Sequence, residues 1–156
     1  MAFIDFSKAF DSLDHDFMLK AMINQGIPKT YVKIIGKMYE NLQARVITDV
    51  EGNYFRVSKG VKQGDPASPI LFNCAIEEIF RNINWEDKGM RIEGELLNNL
   101  RYADDIVVIS ESVEEPKIMV LELIQKGREV GLKMNLDKTK VLSKERVIEP
   151  FRSKEN

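Results

Sequence analysis

The spacing of apolar residues changes period several times along the chain, and each change marks an element. Ala2 to Phe6 is a short apolar run around one acid and predicts a buried strand. Lys8 to Asp11 leads into a helix from about Asp16 to Gln25, with Asp14 as its cap and Gly26 as its stop. Pro28 opens a second helix over 29–40, with Tyr31, Ile34, Ile35 and Met38 on one stripe. The runs 45–48 and 54–57 flank Glu51-Gly52-Asn53 and predict a hairpin. A loop punctuated by glycine and proline covers 60–68, and the helix that follows, 69–82, gathers Leu71, Phe72, Ala75, Ile76, Ile79 and Phe80 on one face. Short strands at 90–92 and 95–97 turn over Glu93-Gly94. A further hairpin has Asp104 and Asp105 at its tip, and a helix over 114–130 carries Ile118, Leu121, Leu123 and Ile124 before Gly131. Strands at 132–134 and 140–142 close the pattern, and the charged tail, 143–156, is expected to fray. Helices on one face of a mostly antiparallel sheet make an α+β fold. No internal boundary shows, so 1–142 is expected to be one domain.

Composition bounds the class. A chain of 156 residues with 44% hydrophobic and 31% charged residues has enough apolar material for a core and too much for a disordered segment. Its net charge of −2 excludes a basic nucleic-acid binder of the ordinary kind, so any phosphate-binding charge must be local. Cys74 is the lone cysteine and sits among apolar neighbours, which excludes an internal disulfide and a cysteine-based zinc site. No apolar run is long enough to span a bilayer and no signal peptide shows, so the expected setting is intracellular, nucleus or cytoplasm, not secreted and not membrane-bound.

The chemistry concentrates at Tyr102-Ala103-Asp104-Asp105. Two adjacent carboxylates lie between Asn99-Leu100-Arg101 and Ile106-Val107-Val108-Ile109, at the tip of a strand–turn–strand unit. Adjacent like charges repel unless a cation neutralises them. Asp5 is a third acid in a similar apolar setting. Three acids from two strands suit a pair of hard cations, and such a pair suits phosphoryl or nucleotidyl transfer. An Asp-Asp pair at a turn is, by itself, ordinary turn chemistry; the rest of the chain decides between the readings.

Four segments occur in order: Ala2-Phe3-Ile4-Asp5-Phe6-Ser7-Lys8-Ala9-Phe10-Asp11; Val61-Lys62-Gln63-Gly64-Asp65-Pro66-Ala67-Ser68-Pro69; Leu100-Arg101-Tyr102-Ala103-Asp104-Asp105; and Gly131-Leu132-Lys133-Met134-Asn135-Leu136-Asp137-Lys138-Thr139-Lys140. Together they resemble the palm of reverse transcriptases, most closely those of non-LTR (LINE-like) retrotransposons, over the chain up to about Leu142. The resemblance implies a right-hand polymerase palm and RNA-directed DNA polymerase activity. The reaction is transfer from a dNTP to the 3′-hydroxyl of a DNA primer on an RNA template.

The resemblance also assigns roles. Asp5 and Asp104 match the two acids that bridge two Mg²⁺ ions (Mn²⁺ being an alternative), Asp105 matches the neighbouring acid, and the Phe6 carbonyl completes one metal's shell. Phe10 matches the aromatic gate against the ribose 2′-hydroxyl, although a core phenylalanine would look the same. The amides of Lys8 and Ala9 match the triphosphate contact, and Gln63-Gly64 the loop beneath the incoming nucleotide. Tyr102 matches the aromatic beside the primer terminus. Lys138 matches the lysine that protonates pyrophosphate, but a solvated lysine beside Lys133 and Lys140 explains it equally well. Ala67 stands where the family often has leucine. His15, the sole histidine, follows a cap and reads as structural.

The family's fingers lie upstream of these motifs and its thumb downstream, and its elements also encode an endonuclease. None of these is in the 156 residues, so the chain is expected to be a palm fragment that needs those parts as partners. Two other classes bear on the same residues. A catalytically silent remnant or domesticated nucleic-acid- or protein-binding module would suit the truncation, but the acids are intact. A viral RNA-directed RNA polymerase typically shows Gly-Asp-Asp, against which Tyr102-Ala103-Asp104-Asp105 and Phe10 argue.

Overall fold

The computed structural model describes residues 1–49, 51–112, 114–143 and 147–148. In chain order the elements are β1 (Ala2–Ile4), β2 (Phe6–Ser7), α1 (Ala9–Ser12), α2 (His15–Asn24), α3 (Lys29–Tyr39), β3 (Gln43–Ala44), β4 (Phe55–Arg56), α4 (Ser68–Arg81), β5 (Met90–Ile92), β6 (Glu95–Leu97), β7 (Asn99–Tyr102), β8 (Asp105–Val108), α5 (Glu115–Glu129), β9 (Lys133–Met134), β10 (Lys140–Leu142) and β11 (Val147–Ile148). The mixture of helices and antiparallel strands is α+β. By its internal contacts the chain divides into two compact units: Met1–Ala9 with Ile79–Asn156, and Phe10–Glu78. Apolar periodicity reports which face of an element is buried, not which core receives it, so the division left no mark in the pattern.

The first unit is built on a five-stranded sheet in the order β11-β10-β1-β8-β7, antiparallel throughout. Alternation turns Ala2, Ile4, Ile106, Val108 and Val141 inward. Helix α5 packs against β8 and β9 and buries Met119, Val120, Leu123 and Ile124, while Ile118 and Leu121 stay exposed. The expected strand over 2–6 breaks at Asp5 into β1 and β2. They take different partners, β10 for β1 and β9 for β2. The tail expected to fray contributes β11, paired with β10; residues 144–146 and 149–156 lie outside the described residues.

The second unit is mostly helical. Asp14 caps α2 by accepting the Phe17 N–H at 3.0 Å, and Gly26 closes its far end at φ +80°. Helix α2 packs on α3. The α3 stripe read from sequence faces solvent: Tyr31, Ile34 and Met38 are 62%, 52% and 46% exposed, while Val32 and Tyr39 are buried. The expected 45–48/54–57 hairpin forms instead between β3 and β4, with a single bridge from Ile47 to Glu51. Every residue of the apolar face expected on α4 is buried. Burial also raises the pKa of the Cys74 thiol, which suits a small, inert core residue. Among the described residues no helix is long and apolar enough to cross a membrane.

Candidate active site

The acids of the first unit are positioned by strand register. Ala2, Phe3 and Ile4 pair with Val108, Val107 and Ile106. One step beyond Ile4 is Asp5 and one step before Ile106 is Asp105, so the β1–β8 register brings these two acids level. Asp105 also pairs with Tyr102 across the β7–β8 hairpin, which leaves Ala103-Asp104 as a two-residue loop. Such loops favour turns whose first residue has positive φ, and Ala103 is at φ +53°. A non-glycine residue there stores roughly 1 kcal/mol of strain. Asp5 and Asp104 are half-buried, Asp105 is exposed, and Tyr102 is 84% exposed.

Asp5 sits between β1 and β2, so its backbone has no ladder partner on the β9–β10 side. The turn 135–139 replaces it. The Asn135 N–H donates to the Asp5 carbonyl at 2.8 Å, and the Asp5 N–H donates to Thr139 Oγ1 at 3.4 Å. The Thr139 hydroxyl donates in turn to the Asn135 carbonyl at 2.8 Å. Thr139 is fully buried. The Lys138 N–H donates to Asn135 Oδ1 at 3.2 Å, which ties Lys138 into the same turn while the residue stays exposed. Asn135 and Thr139 were not singled out in the sequence. The available signal was a threonine in a polar turn, which does not reveal that its hydroxyl is buried. Lys8 is exposed at φ +49°, where the chain bends from β2 into α1, and Ala9 is buried.

Phe10, Gln63 and Gly64 belong to the second unit. The Phe10 ring stacks on Phe72 with centroids 4.4 Å apart and planes 16° from parallel. It lines an open cleft of about 440 Å³ with Lys62, Gln63, Gly64, Asp65, Pro66, Ser68 and Pro69. Gln63 Nε2 donates to Asp11 Oδ1 at 2.9 Å, and the buried Ser68 hydroxyl donates to the Lys62 carbonyl.

The profile of the family described as "Reverse transcriptase (RNA-dependent DNA polymerase)" matches residues 1–149. The chain belongs to the reverse transcriptase family. It is 33% identical over 135 residues (86% of the chain) to the Retrovirus-related Pol polyprotein from type-1 retrotransposable element R2 of Nasonia vitripennis. It is 34% identical over 139 residues (88% of the chain) to the Retrovirus-related Pol polyprotein from type-2 retrotransposable element R2DM of Drosophila melanogaster. A third relative, from type-1 element R2 of Bradysia coprophila, is 29% identical over 143 residues, 92% of the chain and 16% of that protein. The chain spans 13% of the length of the first two relatives. These likenesses make it a reverse transcriptase domain of the non-LTR retrotransposon kind.

Reverse transcriptases work with divalent cations, which take oxygen donors. The donors offered here, three carboxylates and nearby backbone carbonyls, are all oxygen and fit that chemistry. Among the described residues no three acidic, histidine or cysteine side chains converge closely enough to hold an ion by themselves. Cations of this type commonly take the rest of their shell from water and substrate phosphates.

Proposed function

We propose that this reverse transcriptase domain is the palm of a right-hand polymerase and carries out nucleotidyl transfer from a dNTP to a DNA primer on an RNA template. The observation that carries the reading is the β1–β8 register, with Asp5 level with Asp105 and Asp104 next along the turn. Asp5, Asp104, Asp105 and the Phe6 carbonyl would hold two Mg²⁺ ions, or Mn²⁺ in their place. Bound there, the pair lowers the pKa of the primer hydroxyl and neutralises charge on the phosphates. The primer hydroxyl would give its proton to solvent, its oxygen bond to the α-phosphorus, the bond to pyrophosphate break, and Lys138 supply the leaving group's proton. Such a displacement asks for positioning and charge neutralisation more than for a protein nucleophile.

The remaining residues orient the substrates. The amides of Lys8 and Ala9 meet the triphosphate, Gln63 and Gly64 lie under the nucleotide, and Tyr102 lies beside the primer end. Phe10 excludes the 2′-hydroxyl, a role supported by its rigid stack on Phe72 at the rim of the cleft. Fingers, thumb and endonuclease parts are the expected partners, and the setting is intracellular. The alternative is a silent remnant or domesticated nucleic-acid- or protein-binding module.

The deciding experiment is Mg²⁺-dependent incorporation of labelled dNTP on an RNA template with an annealed DNA primer. Incorporation by the wild-type chain that Asp104→Asn loses supports the polymerase. No incorporation with added fingers and thumb, alongside a native fold, supports the silent reading.

A further inference from the structure

We infer that His15 is a positioning residue for the Gln63-Gly64 loop, acting as a latch on the backbone that carries it. The inference rests on the nucleotide-binding reading of that loop. His15 opens α2, directly after the Asp14 cap. Its Nε2 lies 2.7 Å from the Gly60 carbonyl. A carbonyl can only accept, so Nε2 carries the proton and donates. The ring stands edge-on to Tyr39, centroids 4.8 Å apart, which limits its rotation.

Gly60 is held on every side. Its N–H donates to the Leu13 carbonyl at 2.7 Å, and the next N–H, of Val61, donates to the Phe10 carbonyl at 2.7 Å. Gly60 is buried at φ +85°, and a Cβ there would come within 2.7 Å of Asp11 backbone. These contacts fasten 60–61 to the 10–15 segment, so the loop leaves a fixed point. Three residues on, Gln63 reaches back to Asp11. The His15 bond is made by a side chain to the backbone at that anchor. Backbone bonds persist in any sequence; this one exists because a ring donor stands at position 15. Removing the donor leaves a buried carbonyl short of a partner, and the anchor must shift to find one.

Two substitutions in the full chain separate the donor from the ring. His15→Phe keeps the ring and its contact with Tyr39 but has no N–H. His15→Gln loses the ring but keeps a donor of similar reach. Amide hydrogen exchange at Gly60 to Gly64 reads the latch directly, and titration with dTTP and Mg²⁺ reads its consequence. His15→Phe is expected to speed exchange in the loop and to weaken dTTP binding about tenfold, the scale of one lost hydrogen bond. His15→Gln is expected to stay within about threefold of wild type. If wild type binds dTTP and His15→Phe binds it equally well, or if His15→Gln is the weaker variant, the latch is overturned. If wild type binds no dTTP, the nucleotide reading fails and the positioning role with it, while the exchange data still report whether His15 holds the loop. Should His15→Phe not fold, a tenfold loss in a folded His15→Gln overturns the donor role on its own.

Discussion

The two units position their site residues by different means. In the first unit, Asp5, Asp104 and Asp105 stand at strand ends and a two-residue turn, so they are fixed mainly by backbone bonds, with Thr139 adding one side-chain bond at Asp5. In the second, Phe10, Gln63 and Gly64 stand on or beside a loop to whose backbone bonds individual side chains add: His15 on Gly60, Gln63 on Asp11, Ser68 on Lys62 and Phe72 under Phe10. Ladders are shared among many bonds and resist single changes. Loops held by individual side chains are tuned one residue at a time. On the proposed reading, the first unit would supply the acids for the chemistry and the second would carry the residues that select the nucleotide.

Substitutions can break that contrast. The largest effect is expected from Asp5→Ala: incorporation should fall by roughly a thousandfold, about 4 kcal/mol of barrier, with the melting temperature nearly unchanged because the side chain is only half-buried. A comparable loss of stability would mean that Asp5 is a structural acid. Phe10→Ala should lower the preference for dNTP over rNTP by roughly 10- to 100-fold while leaving the dNTP rate within a few-fold. A fall in rate with the preference intact would reverse the division between units. Thr139→Val is expected to be the mildest, because Asp5 keeps its bond from Asn135. Losing the hydroxyl should reduce unfolding stability by about 1–2 kcal/mol in denaturant titration and slow incorporation only modestly.

The difference between the units also explains what could be read from sequence. The α4 stripe, the Asp14 cap and the 90–92/95–97 hairpin were legible because local period and turn chemistry specify them. The motifs located the acids, but not the break at Asp5 or its replacement ladder from Asn135 and Thr139, which depend on contacts 130 and 134 residues apart in the chain. The α3 stripe is legible as a stripe, but not which way it faces. Periodicity finds an apolar arc; tertiary packing chose the neighbouring arc with Val32 and Tyr39. The role of His15 was invisible because its partner is a backbone carbonyl 45 residues away, and backbone acceptors leave no trace in a side-chain pattern.

Ala103 carries a consequence for chirality. Its φ of +53° is the value a mirror-image residue adopts at ease. The turn therefore matches the right-handed twist of β7 and β8 at the expense of an L-residue in a D-residue's conformation. D-alanine introduced at position 103 by chemical synthesis would relax the tip without changing a side-chain atom, whereas a β-branched L-residue would strain it further. The hand of one α-carbon thus bears on how Asp104 is presented.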